Sequence, residues 1–502
     1  MKTKRALALV LVLVLVLSMA VVSQADETKY ADTITIGIGK DISTLDPTLD
    51  ASQIEAQMVF YCSHETLTYL NPETHKIQPD LAESWEISPD GLVYTFHLKK
   101  GVKFHNGEEM KASDVKFSLE RARVSSTQKS RLALVTDITV VDDYTIQITL
   151  SKVFLDFLYN LTQPNVSIFS EKAVNEMGDD GEQIGSGPYV ITEKVAGDHI
   201  TLTRFEDYSG EKAITKTIIF KIIPEDATRV MALEAGEIDI CYSPAYVDHT
   251  YITDNKDLEL ISLPGTTTYY LAMNTQIEPF NNEKVRQAIA CAVNKEDCIA
   301  VAFGTTAIPA ESVMPPSVPL YSEVKGYSRD LDKAKALLKE AGYENGFTME
   351  IGVATDVHQN IAQVLQQNLK EIGITVVVQR YEANTLKDMT VEGTHQAASQ
   401  NYGNGSGPDG SFTAPFSSTG SSNRSKVNDP WIDEMVVKAG AEQDEATRIS
   451  LYKELNQYIT DKAYWVPIAI PNAYVGIRKG VAGVLYASNI RHDFSGVYRI
   501  VG

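Results

Sequence analysis

The chain predicts a multidomain α/β protein, and three observations carry that prediction. Its 502 residues are too many for one small hydrophobic core and divide into two or three domains. The stretch 70–185 is rich in alternating strands with helices between them and reads as a compact α+β insert. From about residue 283 the texture changes, and helices alternate with strands as in β/α units.

The elements follow in order. Ala31 to Ile38 alternates as a strand, and a helix-like run over 53–68 leads to the turn Asn71-Pro72-Glu73. In 93–99, Tyr94, Phe96 and Leu98 share one face, with Thr95, His97 and Lys99 on the other. Asn106-Gly107 is a turn signal, and Tyr144, Ile146, Ile148 and Leu150 repeat the alternation. Helices are expected at 114–123 and 152–160, strands at 189–194, 199–205 and 215–223, and a helix at 225–235 stopped by Gly236. Asp330 caps a predicted helix over 331–341 that Gly342 ends. A second helical face, Ile361, Val364, Leu365, Leu369 and Ile372, starts after Asn360, closes at Gly373 and precedes the strand 374–378. Residues 401–425 are rich in Gly, Ser and Asn without apolar periodicity, which predicts a long functional loop or disorder. Helices 431–439 and 445–460 and strands near 466–477 and 497–501 complete the chain.

Composition narrows the function. The formal net charge is −21, which argues against nucleic acid and anionic lipid as partners. Lys2, Lys4 and Arg5 precede the apolar run Ala6–Val22, and Ser23-Gln24-Ala25 ends it with small residues. That is the layout of a secretory signal peptide cleaved after Ala25. The alternative is a retained anchor, for which ~17 residues is borderline against ~30 Å of hydrocarbon. Removing the leader's three cations takes the formal charge from −21 to −24. No cysteine precedes Cys62, so no N-terminal lipidation site exists. The four cysteines form no C-x-x-C motif. Cys291 and Cys298 would be separated by about 10 Å of rise on one helix, too far for a bridge. Cys62 and Cys241 leave open either a disulfide or buried free thiols.

Catalytic and metal chemistries find little support. The nine histidines contain no His-x-x-x-His pair. Gly37-Ile38-Gly39 lacks the third glycine of a dinucleotide fingerprint, Gly403-Gly405-Gly407 lacks the Lys-Ser/Thr of a phosphate loop, and no Gly-x-Ser-x-Gly elbow occurs. No enzyme activity, cofactor or metal site is expected.

Several blocks in order carry a resemblance. They are Leu45-Asp46-Pro47, Leu81 to Trp85 with Ser88-Pro89-Asp90-Gly91, Phe104-His105-Asn106-Gly107 with Asp114-Val115, Gly185 to Tyr189, Leu233 to Asp239, Asn274-Thr275, and Val285 to Ala288. Together they resemble the bacterial extracellular solute-binding proteins of family 5, which serve ABC importers. The resemblance implies a two-lobe periplasmic-binding-protein clamshell of type II with the extra domain of the peptide-binding cluster. It implies this division: 1–25 signal peptide; 26–69, 186–272 and 476–502 domain I; 70–185 the extra domain II; 273–475 domain III, the second lobe. Hinges are expected near 185–190, 268–275 and 470–480.

By the same resemblance the function is a periplasmic, monomeric, unlipidated receptor that captures a small solute, most simply a peptide, and docks on permease subunits with their ATPases. A nickel complex, an oligosaccharide or another solute is the alternative ligand, and a secreted hydrolase or chaperone-like protein the alternative class. Peptide-binding relatives pair ligand backbone with two segments, here Asp50-Ala51-Ser52-Gln53 and Gln400-Asn401-Tyr402-Gly403. Tyr242 is expected to face the cleft. The acid that pairs with a peptide amine in such relatives falls at Asn404 here, with Asp409 as a substitute. Intact mass of protein from its native envelope should place the N-terminus at Asp26 without lipid; a retained leader overturns the cleavage and the periplasmic reading together.

Overall fold

The computed structural model describes residues 29–49, 53–304, 306–404, 407–489 and 491–501. The signal-peptide expectation lies outside them. A twelve-stranded mixed sheet system runs through both lobes of an α/β clamshell, and a separate four-stranded antiparallel sheet accompanies it.

The first lobe is organised by Thr33–Ile38, whose Ile34, Ile36 and Ile38 are buried in one core. That strand pairs in parallel with Thr217–Ile222 and with Ile240–Tyr242, and His199–Arg204 and Tyr189–Val195 extend the sheet antiparallel. The first and last described residues lie side by side: Ala31 N–H donates to Arg499 O at 2.9 Å and Val501 N–H to Lys29 O at 2.8 Å. Gly37 and Gly39 pack on the Arg229 side chain, and a Cβ on Gly37 would lie 2.6 Å from Ile238 Cδ1. The glycine pair is therefore a packing requirement.

The second lobe carries Thr348–Val353, Thr375–Arg380, Ala397–Gly403 and Thr267–Met273. Asp330 caps Leu331–Glu340 by accepting from Lys333 N–H at 2.9 Å, and Gly342 and Gly373 both take the left-handed conformation at helix ends. The helix expected after Asn360 starts earlier, at Asp356 behind the cap Thr355, because its first turn is polar. The four-stranded sheet joins Ala82–Ile87, Val93–Leu98, Thr145–Leu150 and Val135–Asp142, and buries Tyr94, Phe96 and Leu98 as the alternation requires. The expected helix 152–160 shrinks to Phe157–Asn160.

One strand serves both lobes. Trp465–Arg478 pairs through its first half with Thr267–Met273 and Ala307–Pro309, and through its second half with Ile240–Tyr242 and Leu258–Pro264. The chain therefore leaves the first lobe at Pro264–Thr267 and returns at 470–472, whereas 185–190 lies inside the first lobe. All four cysteines are buried free thiols, so the open question over Cys62 and Cys241 resolves against a bridge.

At the crossing, a Cβ on Gly265 would collide with the Pro471 carbonyl oxygen. Gly265→Ala should force the two crossing strands apart and cost about 1–3 kcal/mol, the usual range for overpacking. Denaturant unfolding reads the loss; unchanged stability would show that the two strands are not in close approach.

Candidate functional site

The motif blocks that stand out in the sequence act mainly on one another. Asp46 accepts from Thr48 N–H at 2.8 Å and pairs with Arg121 at 2.9 Å, fixing the loop that leads toward residue 53. His105 N–H donates to Gly185 O at 2.9 Å, and its Nε2 meets Gly187 O at 3.0 Å. Burial lowers the His105 pKa to about 4, so the ring is neutral and Nε2–H is the donor. Gly187 in turn donates to Ser63 O at 3.1 Å, where a Cβ would lie 2.6 Å from the Ser63 carbonyl carbon. These contacts seat the helix Ile54–Ser63, whose first residue borders the cleft.

That cleft, of about 490 Å³, lies where the lobes meet. Ile54, Ser243, Pro244, Tyr246 and His249 line it from the first lobe, and Thr267, Tyr269, Thr306, Asn401, Gly403 and Asn404 from the second. Gly265, Thr266, Pro471 and Asn472 form its hinge wall, and Ser488, Asn489 and Arg491 close one end. The lobes touch at its edge, where Gly304 leaves no room for a side chain beside the Tyr246 ring. The surface mixes polar and apolar groups and is almost uncharged. Burial pushes the His249 pKa down, so its ring is neutral at pH 7, and no Asp or Glu among the described residues lines the cleft.

Ala397–Gly403 is an ordered strand where sequence patterning suggested a loop. It pairs antiparallel with Thr267–Met273, with Thr268 opposite Tyr402 and Tyr270 opposite Gln400. Asn404 N–H donates to Thr266 O at 2.9 Å in the same register, which makes 404, 402 and 400 the hydrogen-bonded positions. The backbone N–H and C=O of Asn401 and Gly403 must then point the other way. On that side the neighbouring strand Thr348–Val353 pairs only with Ala397 and Ala398. The edge beside Asn401 and Gly403 is open, and both residues line the cleft.

The expected site residues separate accordingly. Asn401, Gly403 and Asn404 meet in the cleft, whereas Tyr402 turns away, packs edge-on against Trp465 and donates its hydroxyl to Gly410 O at 2.8 Å. Gln400 sits within the ladder. Gln53 precedes the helix that borders the cleft, and its Oε1 accepts from Ser43 Oγ–H at 2.8 Å. Asp50, Ala51 and Ser52 lie outside the described residues. Tyr242 is 4 % exposed in the first lobe's core, edge-on to His492, because the strand's alternation turns Ser243 and not Tyr242 to the cleft.

Asp409 lies elsewhere too, in a buried contact between the second lobe and the segment after the four-stranded sheet. Its N–H donates to Asp156 Oδ2 at 2.8 Å, its Oδ1 accepts from Thr413 at 2.8 Å, and Asp156 pairs with Arg448. Leu155 N–H donates to Gly440 O at 2.9 Å beside it. Arg491 was not anticipated from sequence, and neither were the strands Leu258–Pro264 and Thr267–Met273.

With this geometry in place, the comparisons with known proteins decide the family. Residues 76–424 match the bacterial extracellular solute-binding proteins, family 5 (middle). The chain belongs to that family. It is 29% identical to the dipeptide-binding protein of Escherichia coli K12, over 89% of this chain and 95% of that one. The structure of HbpA2 from Haemophilus parasuis superposes with a TM-score of 0.87 at 28% identity, covering 93% of this chain and 100% of its own. The ABC transporter-associated periplasmic binding protein DppA of Helicobacter pylori, solved with the peptide STSA, gives 0.75 at 30% identity, covering 94% and 99%. The clamshell expectation therefore holds, and the chain is a solute-binding protein of the type that serves ABC importers. Among the described residues no helix is long and apolar enough to cross a membrane, and no cluster of three His, Cys, Asp or Glu is placed to hold a metal ion.

The buried acid contact sets a pH dependence. Burial, with Asp156 alongside, pushes the Asp409 pKa up from 3.8 to about 7. A carboxyl raised in the folded state favours folding at pH below its unfolded value, and that contribution is lost as pH rises through about 7. Asp409→Asn should therefore flatten the fall in Tm between about pH 4 and pH 7.5, read by calorimetry. A variant with an unaltered slope would show that Asp409 ionises freely in the fold.

Proposed function

We propose that this protein is a periplasmic receptor that captures a peptide between its lobes and presents it to the permease of an ABC importer. The observation that carries the reading is the open backbone edge at Asn401 and Gly403 inside the interlobe cleft. Two successive outward N–H and C=O groups accept an extended peptide as an added strand, and that contact reads backbone rather than side chain. The cleft sits against the two crossing strands, so a ligand bridging the lobes would favour one lobe arrangement over another and make occupancy visible to a membrane partner. The peptide-bound relative supports the same reading. Transport energy would come from the partner ATPases, and the receptor would act as an unlipidated monomer.

A non-peptide solute is the second reading. Asn404 favours it, because a neutral amide stands where a peptide ammonium would need an acid. Native mass spectrometry of freshly purified protein separates the two by the mass of a co-purified ligand. Free peptide at ~100 times its Kd should stabilise the fold by roughly 2.7 kcal/mol, with a reduced radius of gyration in small-angle scattering. Binding with an unchanged radius would exclude closure.

A further inference from the structure

The crossing strands are one connection between the lobes, and a second lies outside the cleft. The four-stranded sheet is tied to the first lobe by Arg121 on Asp46 at 2.9 Å, Ser125 Oγ–H on Thr48 O at 2.6 Å and Asn165 Nδ2–H on Pro47 O at 3.3 Å. The turn that follows this sheet is held to it in turn, since the Tyr94 hydroxyl donates to Phe154 O at 3.3 Å. The same turn reaches the second lobe. Leu155 N–H donates to Gly440 O at 2.9 Å, Asp409 N–H donates to Asp156 Oδ2 at 2.8 Å, and Arg448 pairs with Asp156 Oδ1. A Cβ on Gly407 would collide with Asp156 Oδ2, so the second lobe makes room for this carboxylate by omitting a side chain.

Two properties make this seam separable. A cavity of about 450 Å³ runs along it, lined by Lys152, Phe154 and Phe157 on one side and Asp433, Val436 and Gly440 on the other. Close packing of the kind found in a domain core is therefore interrupted there. The seam is also centred on charge: Asp156 is 3 % exposed and Arg448 8 %. A buried ion pair gains little over its two hydrated halves, whereas either half buried alone is strongly unfavourable. Such a pair tolerates contact and separation alike, but it does not tolerate the loss of one member while the other stays buried.

We propose that this seam is a latch, which forms as the lobes close and parts as they open, with the Asp156–Arg448 pair setting the balance between the two arrangements. It rests on the clamshell alone and stands apart from the peptide reading. A ligand that needs both lobes binds more weakly by whatever fraction of molecules has them apart. These two residues therefore tune affinity without touching the ligand.

The test is pulsed electron–electron double resonance on the protein without added ligand. Nitroxides go on Val141→Cys, in the four-stranded sheet, and Val391→Cys, in the second lobe; both positions are exposed and the four native thiols are buried. Arg448→Met and Asp156→Asn, each alone, should raise the ratio of longer to shorter distances about tenfold or more, because each strands a charge in the closed form. Asp156→Leu together with Arg448→Met should bring the ratio back to within about threefold of the wild type, as no charge is left to strand. If a single variant does not fold, Arg448→Lys, which keeps the charge and loses the planar fork, is read in its place and should shift the ratio in the same direction. A ratio that neither single variant moves overturns the latch. So does a double variant as open as the singles, which would make lost packing the cause.

Discussion

Everything in this clamshell hangs on the backbone hydrogen bonding of one strand. Trp465–Arg478 is fourteen residues long, and its two halves belong to different sheets. Inter-strand bonds fix register on both sides of Pro471, so neither lobe can slide relative to the crossing without breaking a ladder. The joint between the two ladders falls at Gly265-Thr266 and 470–472. There the chain uses a residue without a side chain on one strand and a proline without an N–H on the other. The cleft lies against this wall, where both lobes bring backbone to the same volume.

The conspicuous sequence blocks of the first lobe and its insert position the binding surface and do not form it. Asp46, His105, Gly185 and Gly187 make contacts that hold the loop up to residue 49 and the end of Ile54–Ser63. The lining itself is chiefly Asn, Ser, Thr and Tyr, with Gly and Pro at the crossing, Ile54, Ala473, His249 and a single Arg. Such a surface supplies many hydrogen bonds with little charge, which suits ligands read by shape and backbone.

How far the sequence carried the reading follows from which signals are local. Capped helices such as Leu331–Glu340, and one-sided strands such as Val93–Leu98, announce themselves because cap chemistry and alternation are written in neighbouring residues. Thr267–Met273 does not, since its residues show no polar–apolar alternation and only its second half is buried on both faces. The two-residue gap before it also resembles a hairpin turn and not a crossing between sheets. Ala397–Gly403 is made of small and polar residues with weak strand preference, and its pairing partner confers the extended form. The strand's alternation, rather than its composition, puts Tyr402 in the core and Asn401 in the cleft. Arg491 reaches the cleft through tertiary packing, which no spacing records.

The shared strand also governs the order in which this protein can come into being. Strands of the first lobe, Ile240–Tyr242 and Leu258–Pro264, wait for partners near the far end of the chain, and so do Thr267–Met273 and Ala307–Pro309 of the second. At ~5–20 residues per second, roughly 25–95 s pass between the first residue and the one strand that completes both sheets. Until then each half presents unpaired strand edges to its surroundings. Closure of the two lobe sheets is thereby deferred to late in synthesis, whereas the four-stranded sheet has all its strands within 82–150. The insert can be complete while both lobes still wait for the one strand that joins them.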